Sequence, residues 1–180
     1  MKLENIVQLG IGSFGLTKSL MQEFGPEMKS LENLKIHFDF RNQNRNLEWL
    51  PNLKALKTLE LWTTKFSIVL RQIENLKKMQ PGFKKLSIFR CHLDWDAIKY
   101  VMEFPTDQTL ILQDSQLWCN TSVLLDILNV LRDKKNVKIH SITLRLKNDL
   151  DEEKTKETFK QAEEIIKQSF LEQGVLIWQQ

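Results

Sequence analysis

One spacing of apolar residues recurs along this chain, and it limits the possible folds more than any other feature. Phe83-Lys-Lys-Leu86-Ser-Ile88-Phe-Arg-Cys91-His-Leu93 fits the pattern L-x-x-L-x-L-x-x-N/C-x-L, with Phe in place of the first Leu. Leu56-x-x-Leu59-x-Leu61-x-x-Thr64-x-Phe66 follows it closely. Leu31-x-x-Leu34-x-Ile36, Leu110-x-Leu112-x-x-Ser115-x-Leu117 and Ile139-x-x-Ile142-x-Leu144 carry much of it. Near the N-terminus, Ile6-x-x-Leu9-x-Ile11 fits the same apolar spacing, while Ile11-Gly12-x-x-Gly15 followed by Leu16 and Leu20 fits a turn leading into a helix. With first positions at Ile6, Leu31, Leu56, Phe83, Asp107 and Ile139, the periods are 25, 25, 27, 24 and 32 residues. Positions 4 and 6 alternate with polar residues, as in a half-buried strand, and most strands lead into a segment of helical spacing. A strand-turn-helix unit of this size cannot bury its apolar face alone, so stacked neighbours must complete the core.

These copies resemble leucine-rich repeats, closest to the longer ribonuclease-inhibitor-like and F-box-associated types, over about 145 residues. The resemblance implies an α/β solenoid with a curved parallel sheet on its concave face and helices on its convex face. The whole chain, 1–180, is expected to form a single domain, with about six repeats in 1–148. Helical spacing falls on 67–79, on 95–104 after the possible caps Asp94 and Asp96, and on 123–131 after Asn120, Thr121 or Ser122. The stretch 41–51 is polar until Leu47, Trp49 and Leu50 and predicts no more than a short helical turn. In 149–180 an acidic start precedes Phe159, Ala162, Ile165, Ile166 and Phe170 at helical intervals, and Gly174 and the apolar Val175 to Trp178 follow. That helix and final strand read as a C-terminal cap over the last repeat.

Composition narrows the class of function. Of 180 residues, 42% are hydrophobic and 27% charged, which is ordinary for a globular chain. The 26 basic and 23 acidic residues nearly balance, giving no strong field for nucleic acid or an anionic membrane. Neither is expected as a partner. No apolar run reaches the roughly 18 residues of a membrane helix, and the N-terminus lacks the apolar core of a signal peptide. Cys91 and Cys119 form no Cys-x-x-Cys motif. A soluble protein of the cytoplasm or nucleus, with free thiols, is the expectation.

Several motifs suggest chemistry and are better read as structure. Gly10-Ile-Gly12-Ser-Phe-Gly15 matches the dinucleotide G-x-G-x-x-G pattern and resembles a kinase glycine loop. The kinase companions are missing, since Asp39-Phe40-Arg41 lacks the glycine of Asp-Phe-Gly, and Gly25-Pro26 breaks the helix a dinucleotide fold requires. Gly12 and Gly15 read instead as a tight turn from strand to helix, where small residues allow close backbone approach. Cys91, Thr64 and Ser115 hold the polar slot that satisfies turn backbone groups. His37, His92 and His140 lie in different units without metal-ligand spacing, so no metal site and no cofactor are assigned. No nucleophile elbow or paired carboxylates set up catalysis. The basic groups at 132–147 and 77–90 fall mostly at helix C-termini, where cations offset the dipole.

Positions 3, 5 and 7 of each unit point away from the core. Positions 5 and 7 place Lys35, His37, Glu60, Trp62, Phe89, Ile111, Gln113 and Arg145 on the concave face, with Arg90 at the rim. Trp62 and Phe89 should be exposed neighbours in mid-sheet, ringed by polar groups as interaction hot spots are. The expected function is non-catalytic binding of another protein through this face. The alternatives are a scaffold or substrate-receptor subunit of a larger assembly, such as a ubiquitin-ligase adaptor, and a nucleotide-binding enzyme built on Gly10 to Gly15.

Overall fold

The computed structural model describes residues 3–12, 27–37, 49–62, 82–90, 92–93, 95–140, 142–147, 152–170 and 176–179. In chain order these form β1 (Gln8–Ile11), β2 (Asn33–His37), β3 (Thr58–Trp62), β4 (Lys85–Phe89), β5 (His92–Leu93), α1 (Trp95–Glu103), β6 (Thr109–Gln113), β7 (Ser115–Asn120), α2 (Thr121–Asp133), β8 (Val137–Ile139), β9 (Ile142–Lys147), α3 (Glu152–Phe170) and β10 (Leu176–Gln179). The result is a mixed α/β fold. A six-stranded parallel sheet has the order β1-β2-β3-β4-β6-β8, and a four-stranded parallel sheet has the order β10-β9-β7-β5.

The register of the six-stranded sheet follows the apolar spacing. Leu9, Leu34, Leu59, Leu86, Leu110 and Val137 lie side by side, and Ile11, Ile36, Leu61, Ile88, Leu112 and Ile139 form a second row two residues on. From Leu34 to Leu112 these side chains are wholly buried. Leu9 and Ile11 are only half-buried, because β1 is an edge strand with one neighbour. Just ahead of the strands, the carbonyls of Val7, Glu32 and Lys57 each accept two N–H groups from the next unit: Glu32 and Asn33, Lys57 and Thr58, and Lys84 and Lys85. The same backbone contact is thus made at three successive joints, so adjacent units stack without a change of register.

Between the two sheets the chain turns at a residue of left-handed backbone, Arg90 (φ 53°) after β4 and Asp114 (φ 50°) after β6. Ser115, at the first position past that corner, is wholly buried, and its Oγ donates to the Gln113 carbonyl at 3.1 Å. This is the turn-satisfying role expected of the polar slot. Thr64 and Cys91, in the matching slots, lie outside the described residues. Asn136 makes a second tie between units, donating from Nδ2 to the carbonyls of Pro105 (2.8 Å) and Gln108 (2.9 Å).

The last repeat differs from its expected register. The sixth strand of the large sheet is β8, with Val137 beside Leu110 and Ile139 beside Leu112. Ile142 and Leu144 lie instead on β9, beside Ser115 and Leu117 of the smaller sheet. The period between equivalent residues 110 and 137 is therefore 27, not 32. The start was hidden because its first position is Lys134, whereas Ile139, Ile142 and Leu144 span the corner and imitate the strand spacing.

α1 buries Ile98 and Val101, and α2 buries Leu124, Ile127, Leu128 and Leu131, in each case along one helical stripe. Asn120 is the N-cap of α2, but its side chain makes no capping hydrogen bond. α3 packs on α2 and brings buried Ala162 and Ile166, with half-buried Ile165, into the core; Phe159 is half-buried. β10 follows and pairs in parallel with β9. The expected helix at 67–79, most of the stretch 41–51, Gly15 and Gly174 lie outside the described residues. Among the described residues, no helix is long and apolar enough to cross a membrane.

Two predictions follow from this packing. Leu59→Ala, which hollows the middle of the aliphatic row, should lower unfolding free energy in urea by about 3 kcal/mol, whereas loss of the exposed Lys57–Glu32 pair (2.6 Å) through Lys57→Ala should cost at most about 1 kcal/mol. Cys119, a free thiol on β7, is buried, and desolvation pushes it from its ordinary value of 9.0 up to about 11. The folded state therefore favours the protonated thiol. That stabilisation is complete below pH 9.0 and is lost as pH rises toward about 11. Denaturation midpoints measured across that range should fall more steeply for the native chain than for Cys119→Ala; equal slopes would contradict the buried thiol.

Candidate functional site

Opposite the buried rows, the six-stranded sheet carries three rows of outward side chains, of which the first runs Gln8, Asn33, Thr58, Lys85 and Thr109 and the other two concern the site. Register places Gly10, Lys35, Glu60, Ser87, Ile111 and Lys138 in one row. Two residues on, His37, Trp62, Phe89 and Gln113 form the other. Gly12 continues that row beside His37, and His140 continues it beside Gln113, each one residue past its strand. Because parallel strands repeat at about 4.8 Å, flat side chains at the same position of successive strands are set at stacking distance.

Three rings stack in this way. The Trp62 and Phe89 ring centroids are 4.2 Å apart with planes 2° from parallel, and His37 lies 5.3 Å from Trp62 at 9°. Lys35 Nζ sits 4.5 Å from the Trp62 ring centroid and the Arg90 guanidinium carbon 5.8 Å from it, both within cation–π range. Lys35 also approaches Glu60 at 3.8 Å, a pair too exposed to contribute much stability. Trp62 and Phe89 are half-buried by their mutual stacking rather than freely exposed, which corrects the sequence expectation. His37 and Arg90 are exposed, and Ile111 and Gln113 are half-buried. Among the described residues, the buried Trp62 indole N–H has no acceptor. Ser87 faces outward by register but is only 2% exposed, being shorter than its cross-strand neighbours Glu60 and Ile111.

Arg90 combines two unusual properties. A left-handed φ of 53° costs a non-glycine residue about 1 kcal/mol, and Asp114, at the equivalent corner, is a residue type that tolerates it better. The strained arginine is the one beside Trp62. Backbone strain of this kind tends to persist where a side chain is needed in place.

Arg145 does not join this face. It lies on β9, where its backbone pairs with Trp118 of β7 in the smaller sheet. The register error in the last repeat accounts for the displacement, and His140, with Lys138 two residues before it, both exposed, takes the place expected of Arg145 on this face. Trp118, outside the strand positions of the repeat spacing, also faces outward. It is 37% exposed, and its indole N–H donates to Gln116 Oε1 at 3.3 Å. The alternation Ser115-Gln-Leu117-Trp-Cys119-Asn, with every second residue buried, was the signal that could have revealed it.

Gly10 lies within β1 rather than in a turn, and neither it nor Gly12 has a left-handed φ. A Cβ at either would meet nothing within 4 Å. Close backbone approach, expected at Gly12, is therefore not what this glycine provides. Among the described residues, no group of three or more His, Cys, Asp or Glu is arranged to hold a metal ion.

No protein-family model matches the sequence, and no curated protein matches it. A crystal structure of a protein from Bacteroides fragilis aligns with 98% of this chain and 66% of its own, at 12% identity and a TM-score of 0.43. This chain thus spans just under two thirds of that one, and a likeness this slight carries no argument about fold or function.

The ring stack has a measurable energetic signature. Trp62→Ala removes two stacked contacts worth about 0.5–1.5 kcal/mol each and should lower stability by about 2 kcal/mol in chemical denaturation. Arg90→Gly should instead raise stability by roughly 0.5–1 kcal/mol, by relieving the corner. A destabilised Arg90→Gly would show that the guanidinium holds the stack together.

Proposed function

We propose that this chain is a leucine-rich repeat solenoid that binds another protein through the outward face of its six-stranded sheet, without catalysis of its own. The six-stranded sheet would form the concave wall and the helices the outer one, with α3 and β10 closing the C-terminal end. Parallel strands in one order, equivalent residues 24 to 27 apart and the repeated carbonyl contacts between units support this reading.

The observation that carries the function is the row His37–Trp62–Phe89, a ring stack bordered by Lys35, Glu60 and Arg90 and flanked by Ile111 and Gln113. Half-exposed aromatics held rigid by stacking lose little freedom on binding, and arginine and tryptophan are the residue types that dominate interface energetics. A scaffold or substrate-receptor role would use the same face. The nucleotide reading has less support, because Gly10 sits in mid-strand, where the motif requires a turn.

Affinity capture from the native cell, followed by titration of the recovered partner, tests the proposal. Trp62→Ala with Phe89→Ala should weaken the complex by about 2 kcal/mol or more, roughly 30-fold, while Trp118→Ala on the smaller sheet should leave it unchanged. Undiminished binding by the double variant, or loss confined to Trp118→Ala, would move the site off this face.

A further inference from the structure

Among the described residues, the ring stack is capped at one end and open at the other. Phe89 is followed along its row by Gln113, but His37 is followed by Gly12. One face of the His37 ring lies against Trp62 at 5.3 Å; toward β1, Gly10 and Gly12 offer no side chain, and both glycines and His37 are exposed. The strand repeat of about 4.8 Å leaves room there for one more flat group. The charges along the outward face are unequal. Among the described residues, Lys35, Lys85, Arg90 and Lys138 share the outward side with two acids, Glu60 and Asp114; Lys35 and Glu60 engage each other, which leaves three cations beside one acid. Two imidazoles, His37 and His140, stand at the two ends of the row.

We infer that the partner presents an extended acidic segment whose aromatic side chain stacks on the open face of His37, as the next ring of the row. This rests on the protein-binding reading above and gives it a chemical address. The aromatic ring supplies apolar area and a planar match to the imidazole. An extended backbone crossing the strands from β1 carries the acidic residues past Lys35 on β2 toward Lys85 on β4, Arg90 at its end and Lys138 on β8. Gly10 and Gly12 keep the platform accessible: at either position any larger residue would occupy the space, with no backbone obstacle to its doing so.

The full chain can be probed by NMR with the capped peptide Glu-Glu-Trp-Glu-Glu, its Ala-for-Trp analogue and its Lys-for-Glu analogue. Only three histidines contribute ring signals, and His37→Gln identifies one of them. The tryptophan peptide should shift the His37 ring protons upfield in a saturable way, and added salt should weaken the effect. The alanine and lysine analogues should each bind at least about tenfold more weakly. Gly12→Phe, which fills the open position, should abolish the shift while leaving the melting temperature of the chain in place. No upfield shift of His37, an equal shift with Gly12→Phe, or tighter binding of the lysine analogue would overturn the inference. So would a larger His37 shift with adenosine, which would make the slot a nucleobase site. A native partner lost from Trp62→Ala but held unchanged by Gly12→Phe would overturn this inference alone, whereas a partner held by both variants would overturn the protein-binding reading with it.

Discussion

Parallel pairing in strict register, strand upon strand, turns the short apolar pattern of this chain into two continuous aliphatic rows. Leu34, Leu59, Leu86 and Leu110 touch only because each strand lands level with the last, and the same holds for Ile36, Leu61, Ile88 and Leu112. A slip of one residue would send these side chains to solvent and bring lysine and glutamate inward. No single unit could hold that register by itself. The contacts that hold it recur from joint to joint: the doubly accepting carbonyls of Val7, Glu32 and Lys57, the Lys84 carbonyl that accepts from Thr109, and the Asn136 amide tied to the preceding loop.

The outward face inherits its order from the inward one. Once Leu61 and Ile88 are level, Trp62 and Phe89 must be level too, and stacking of their rings follows without any contact designed for it. Lys35 reaches the Trp62 ring from the neighbouring strand, and Arg90 reaches it from the corner at the cost of a left-handed backbone. The corner geometry therefore couples the scaffold to the candidate site. A residue better suited to that φ would relax the turn and remove a cation from the stack.

Much of this was legible in the residues. Alternation at positions 4 and 6 located the strands and their relative register from Ile6 to Leu112, and that register already placed His37, Trp62, Phe89 and Gln113 in one row. Two features were not legible. The last repeat opens on Lys134, a residue with no apolar signature, so the corner sequence from Ile139 to Leu144 was mistaken for a strand start and carried Arg145 to the wrong sheet. The smaller sheet was also missed, although Ser115 to Asn120 alternates cleanly, because the repeat pattern assigns those positions to a turn. Ring stacking and the half-burial it produces depend on distances between strands, which no spacing along one strand can report.

Hydroxyl-radical footprinting of the native complex separates the two faces most directly, since Trp62 lies on the large sheet and exposed Trp118 on the small one. With partner bound, oxidation of Trp62, Phe89 and His37 should fall several-fold while that of Trp118 stays at its free level. Protection of Trp118 with Trp62 unchanged would contradict the account, because the partner would then sit on the face that the ring stack does not occupy.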